Sequence, residues 1–165
     1  MSQAADTLST TRVSKPAGSA AAKRHPAADL NFIDPASITT RFYGMVLAGT
    51  CLQPEYMDGD TVIFDREAPL ENGCFANFFY RPELAAPGHR SVALKRLVFA
   101  PRPFVTFPWR DHPNSTVTPI IIVEQFNPQQ QWSVRCADLL AVHRCLGRAT
   151  DAAVKKLLKA EGWKI

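Results

Sequence analysis

The sequence predicts a mainly β domain closed by one short helix, and three observations carry that reading. Short apolar and β-branched runs recur from Phe42 onward, clusters of Pro, Gly, Asn and Asp separate them, and helical periodicity is confined to the segment from Thr150. The 13 prolines against 8 glycines point the same way, because so many breakers in 165 residues leave little room for long helices.

Residues 1–35 are read as a disordered tail or linker. Ala, Ser, Thr, Lys and Pro dominate there, with few large apolar side chains to offset the entropy of ordering. The composition changes at Leu30-Asn31-Phe32-Ile33-Asp34-Pro35, and the folded body is expected over 36–149. Strands are expected at Phe42–Leu47, Thr61–Asp65, Cys74–Tyr80, Ser91–Phe99, Phe104–Phe107, Val117–Val123 and Leu139–Leu146. Turns such as Glu71-Asn72-Gly73 and His112-Pro113-Asn114 punctuate them. Polar and apolar positions do not alternate cleanly in Ser91–Leu97, so both faces of that strand should be partly covered. Asp58-Gly59-Asp60 reads as a turn that sets the next strand, with Gly59 able to supply a positive φ. A helix is expected within 150–165: Thr150-Asp151 can cap it, Ala153, Val154, Leu157 and Leu158 form its apolar stripe, and Gly162 lies near its end. Lys155, Lys156 and Lys159 read as a solvated face toward the helix's negative end.

The formal net charge of +4 gives only a mild attraction to polyanions. Much of the positive charge lies in the tail and the C-terminal segment rather than on one evident face, so direct nucleic-acid binding has no dedicated surface in the sequence. Cys51, Cys74, Cys136 and Cys145 form no close pairs and follow no apolar signal-peptide core, which suits a reducing cytoplasm. The Ser- and Thr-rich, acid-poor stretch Met1–Lys15 resembles a transit peptide only in composition, which disordered tails share. No run reaches the roughly 18 apolar residues of a membrane span. Cys136, His143 and Cys145 lack the paired spacing of a zinc site, His25, His89 and His112 lie in polar or turn-like segments, and no Gly-rich phosphate loop is present. Neither a metal nor a cofactor is expected.

Chemistry concentrates at two places. Cys51 stands in Gly49-Thr50-Cys51-Leu52-Gln53-Pro54, a turn bounded by Gly and Pro that would expose a nucleophile and hold it rigidly. Lys95 stands among Val92, Ala93, Leu94, Leu97, Val98 and Phe99, with Arg96 adding an adjacent like charge. A lysine acts as general base only where apolar surroundings favour its neutral form, and this strand offers such surroundings if the side chain turns inward.

Taken together, Gly49–Pro54, Asp58-Gly59-Asp60-Thr61-Val62-Ile63-Phe64-Asp65, Gly73 before a strand, and Ala93-Leu94-Lys95-Arg96-Leu97 resemble the LexA/UmuD-type peptidase family, relatives of signal peptidases. The resemblance runs from about Phe42 to Arg148 in the same order along the chain. It implies a coiled antiparallel β core and a dyad in which a serine is nucleophile and a lysine is base. Cys51 stands at the serine position, Leu52 at that of the family's following methionine, and Lys95 at that of the base. A Cys–Lys pair is workable, because a thiolate forms more readily than an alkoxide and is a strong nucleophile. Thiolate is also the better leaving group, which favours reversal of the attack on an amide. The family cuts its own N-terminal tail at an Ala-Gly or Cys-Gly peptide, and Ala17-Gly18 supplies one at a comparable separation from the dyad. Helix-turn-helix DNA-binding sequence is not read in the first 30 residues, so the layout of tail plus core is closer to UmuD, an accessory protein of damage-tolerant DNA synthesis. The expected partners are the chain's own tail, a second copy, or a regulatory or DNA-repair protein. The rival reading is a non-catalytic module that dimerises or holds a partner's strand on the same fold. A basic nucleic-acid accessory acting through Lys155, Lys156 and Lys159 is a third.

Overall fold

Consecutive apolar residues in Val62-Ile63-Phe64 and Phe78-Phe79 demand cover on both faces of a sheet, and both faces are covered. A computed structural model describes residues 33–84, 91–100, 109 and 118–163. It contains strands β1 (Phe42–Val46), β2 (Thr61–Asp65), β3 (Phe75–Tyr80), β4 (Val92–Phe99), β5 (Ile120–Phe126), β6 (Gln129–Arg135) and β7 (Leu139–Arg148), followed by helix α1 (Ala152–Ala160). The seven strands form one antiparallel sheet in the order β1-β2-β7-β3-β4-β5-β6. The molecule is mainly β, as the sequence pattern predicts.

Register shifts interrupt three ladders, at Ile63/Phe64 in β2, Phe79/Tyr80 in β3 and Leu97/Phe99 in β4. Bulges of this kind bend a strand and raise its twist, which lets a long sheet curl. Two cores result. Phe78, Leu97, Ile121, Val123 and Leu139 pack in the first. Phe79, Tyr43, Val62, Phe64, Leu94 and Cys145 pack in the second, on the side that carries Cys51. Neighbouring phenylalanines of β3 thus serve opposite faces, and full burial of each ring contributes about 1.5–3 kcal/mol.

Sequence and structure differ at the far edge of the sheet. β5 runs on to Phe126, past the expected end at Val123, and β6 was not foreseen. Gln129-Gln130-Gln131 carries no apolar alternation because β6 is an edge strand whose first three side chains face solvent. The strand expected at Phe104–Phe107 lies outside the described residues.

Helix α1 closes a third, smaller cluster, in which Val154 and Leu158 pack on Phe42 of β1 and Ile63 of β2. The Trp163 ring meets Phe42 edge-on at 6.4 Å. The apolar stripe is narrower than the periodicity suggests: Ala153 and Leu157 are exposed. Asp151 occupies the N-cap, but its carboxylate accepts the Arg148 N–H at 2.7 Å instead of a helix N–H. Gly147 permits this approach. Its φ of +131° disfavours other residues, and a Cβ there would stand 2.7 Å from Asp151 Oδ2 and 3.2 Å from Val154 Cγ2. Lys155, Lys156 and Lys159 lie exposed on the outer face. Among the described residues no helix is long and apolar enough to cross a membrane.

Leu158→Ala should therefore lower the unfolding free energy by about 2–5 kcal/mol, whereas Leu157→Ala should change it by less than about 0.5 kcal/mol. Urea denaturation of the two variants checks this, and equal effects would contradict the packing described for α1.

Candidate active site

The segment between β1 and β2 is pinned at both ends. Leu47 N–H donates to the Asp60 carbonyl at 2.8 Å and Gly59 N–H to the Leu47 carbonyl at 3.0 Å, closing a loop that contains Cys51. Gly59 makes the closing turn with φ +88°. Asp58 Oδ1 accepts the Gly49 N–H at 2.7 Å, and Asp60 Oδ2 accepts the Met57 N–H at 2.9 Å. Asp60 also pairs with Arg148 Nε at 2.8 Å, and Arg148 in turn donates to the Glu55 carbonyl and lies over the Tyr56 ring. The Met57 N–H and the Arg148 guanidinium hold the Asp60 carboxyl below the usual carboxylate range. Asp58-Gly59-Asp60 thus acts as a clip on the loop, the structural role its turn chemistry suggests.

Leu52 and Tyr56 are buried in the second core and anchor the loop from below. A further tie comes from the opposite end of the sheet, where the N–H groups of Phe126 and Asn127 both donate to the Cys51 carbonyl, at 2.8 and 3.0 Å. Backbone and neighbours therefore fix Cys51, whose own side chain stays partly exposed.

Lys95 occupies the middle of β4, paired with Ala76 of β3. Only 8% of the residue is exposed. Its Nζ lies 3.0 Å from Cys51 Sγ and 3.1 Å from Gln125 Oε1, and it stands 5.8 Å from the centre of a Trp132 ring. Arg96 is not a like-charged neighbour of this amine within the site: alternation along the strand turns it to the other face, where Nη1 bonds Glu124 at 3.1 Å.

Cys51 and Lys95 share the wall of a cavity of about 390 Å³ with Met45, Leu47, Tyr80 and Val92. A mostly apolar cleft with a few convergent polar groups is the usual form of a binding or reaction site. Thiol and amine at hydrogen-bond distance can exchange a proton, and an extended segment laid in the cleft would meet the sulfur.

No family model, no curated protein and no solved structure matches the chain.

Ala17 and Gly18, the expected cleavage site, lie outside the described residues. Cys136 belongs to the first core and His143 and Cys145 to the second side of the sheet, so these three do not converge. Cys145 Sγ lies 3.3 Å from the Tyr56 hydroxyl, and burial pushes both groups' pKa values up. Gln125 and Trp132 were not anticipated, because the sequence pattern ended β5 at Val123 and showed no β6. The available signal was Asn127-Pro128, a turn placed so that β5 could run to Phe126.

Behind the cavity, Asn77 Nδ2 donates to the Tyr43 hydroxyl at 3.3 Å, leaving the phenolic proton for His143 Nδ1 at 2.9 Å. Burial, aided by the nearby Arg66 charge, pushes the His143 pKa down to about 4, so the imidazole is neutral in the fold. An unfolded histidine titrates near 6.5 and takes up its proton first as the pH falls. Stability should therefore decline between about pH 6.5 and pH 4, by on the order of 3 kcal/mol. Urea denaturation across this window should show a flatter slope for His143→Asn; an unchanged slope would remove His143 as the cause.

Proposed function

We propose that the chain is a LexA/UmuD-like regulatory peptidase that uses a Cys–Lys dyad and acts on its own N-terminal tail. The observation that carries this reading is the 3.0 Å separation of Lys95 Nζ and Cys51 Sγ beside the cavity. Lys95 takes the thiol proton, and the sulfur attacks the carbonyl carbon of a peptide laid in the cleft. Lys95 then returns the proton to the leaving amine nitrogen, which releases the C-terminal product and leaves a thioester on Cys51. Water, giving a proton to Lys95, hydrolyses the thioester and restores the thiol. The Cys51 N–H, held by the clamped loop, is the proposed donor to the developing oxyanion. Gln125 is a positioning residue: its Oε1 accepts from Nζ and keeps the amine beside the sulfur.

The proposed fold within the mainly β class is the coiled core of that family, supported by the bulged strands and by the order in which loop, clip and lysine follow along the chain. The proposed scissile peptide is Ala17-Gly18, chosen from the tail sequence. A non-catalytic module is favoured by one feature, the outer edges of β1 and β6, which suit pairing with a second copy or a regulatory partner's strand.

Held at mildly alkaline pH, the full chain should yield a product shortened at Ala17-Gly18 by intact mass. Lys95→Ala should slow its formation by about 10²-fold or more, and Cys51→Ser should retain cutting. No product from either wild type or Cys51→Ser, or equal cutting by Lys95→Ala, would favour the module instead.

A further inference from the structure

Cysteine in place of serine opens a reaction that an alcohol lacks, because sulfur can be oxidised and then attacked by nitrogen. The surroundings of Cys51 suit both steps. Its side chain keeps partial exposure at the wall of a 390 Å³ cavity, a space that admits a small hydroperoxide. The Lys95 amine waits 3.0 Å from the sulfur, nine-tenths buried, with one N–H directed to Gln125 Oε1. When that N–H is engaged, the lone pair of the unprotonated amine is free to face the sulfur. The other cysteines differ: Cys136 is buried in the first core, Cys145 is buried against the Tyr56 hydroxyl, and Cys74 is desolvated near Glu71 and Arg144. Burial pushes all three thiols up and away from the reactive thiolate.

We propose that Cys51 and Lys95 form an oxidative cross-linking site, in which a hydroperoxide drives formation of a covalent, thiol-reversible sulfur–nitrogen bond between them. In the first step the thiol takes one oxygen from the peroxide, giving a sulfenic acid and one water (or, from an organic peroxide, one alcohol). In the second, Lys95 Nζ attacks the sulfenic sulfur, the S–O bond breaks, and the oxygen leaves as water with one proton from the amine. The thiol has lost two electrons in total and the peroxide has gained them. Reversal consumes two equivalents of an added thiol: the first attacks sulfur and releases the amine, and the second resolves the mixed disulfide to free Cys51. Proximity makes the internal reaction win over further oxidation, since the clamped loop and Gln125 hold the partners in contact. The proposal depends on the pairing of the two side chains and not on peptide cleavage. In a working peptidase the bond would remove nucleophile and base together.

The test treats the full chain with about one equivalent of hydrogen peroxide and maps its peptides without reductant. Wild type should give a linked pair containing Cys51 and Lys95, roughly 2 Da lighter than the sum of its parts, which dithiothreitol separates. Lys95→Met should instead accumulate a sulfenic acid that a cyclic diketone captures, at several-fold higher yield than wild type. Gln125→Leu should lower the linked yield several-fold, and Cys51→Ser should abolish it. Equal diketone capture in wild type and Lys95→Met, or a disulfide from Cys51 to another cysteine, would overturn the proposal. So would a linked pair roughly 14 Da heavier, which indicates an oxygen bridge instead of the direct bond. Should Lys95→Met fail to fold, the presence or absence of the linked pair in wild type decides. Tail cleavage assayed in parallel on chain kept reduced and never exposed to peroxide separates the two readings: a link after oxidation with no cleavage by the reduced chain leaves this proposal standing and removes the peptidase, and cleavage by the reduced chain with no link after oxidation does the reverse.

Discussion

The Cys51 carbonyl accepts two N–H groups from Phe126 and Asn127, and that clamp constrains the whole sheet. Cys51 lies on the loop between β1 and β2, while Phe126 ends β5, which is four places from β2 in the sheet order. Laid flat, those strands would stand about 19 Å apart at the normal ladder spacing. The long β1–β2 loop bridges that span and brings Cys51 to the end of β5 at 2.8 Å. The bulges in β2, β3 and β4 bend the sheet beneath that loop, and the core on this side is the one that carries the site.

Curling buries polar groups as well as apolar ones, and the way each is satisfied separates structural groups from the candidate reactive pair. Asp65 is buried against Arg41, with two further backbone N–H donors from Glu67 and Ala68. Desolvation opposes its charge, but these bonds outweigh it and hold the carboxyl below its usual range. Glu124 likewise faces Arg96 and Gln131. Among the described residues no buried side-chain nitrogen or oxygen lacks a partner. Lys95 is satisfied differently: it meets a thiol, an amide oxygen and the face of an indole. Of these three, only the thiol can carry a charge opposite to an ammonium. A buried cation without such a charge is costly, and the thiol is the neighbour able to supply one.

Much of this was legible in the sequence where the signal is local. Gly and Pro around Cys51 marked the turn, Asp58-Gly59-Asp60 marked its closure, and the apolar run of β4 offered suitable surroundings for Lys95 provided that its side chain turned inward. Gly59 takes the positive φ that its position suggested. What escaped depends on pairing across the sheet. Gln129–Gln131 has no strand pattern because nothing covers those side chains, so β6, and with it Trp132, was invisible. Gln125 was missed for the same reason, since the length of β5 is set by its pairing with β6 and not by its own composition. Periodicity also overstated the buried stripe of α1: the helix rests on one narrow cluster, and spacing alone cannot say how wide a neighbour is.

Sequence separation gives the site a further property. Cys51 and Lys95 are 44 residues apart, Tyr43 and His143 behind them are 100 apart, and the clamp on Cys51 joins the loop to the end of β5. Closing such long loops carries an entropic cost, which the pairing of the sheet offsets. Thiol and amine are therefore brought together by the tertiary fold and not by local structure. A partly folded chain holds the same residues without their mutual contact, so the chemistry proposed for the pair belongs to the finished fold. The local motif positions Cys51, but the far edge of the sheet makes it a partner for Lys95.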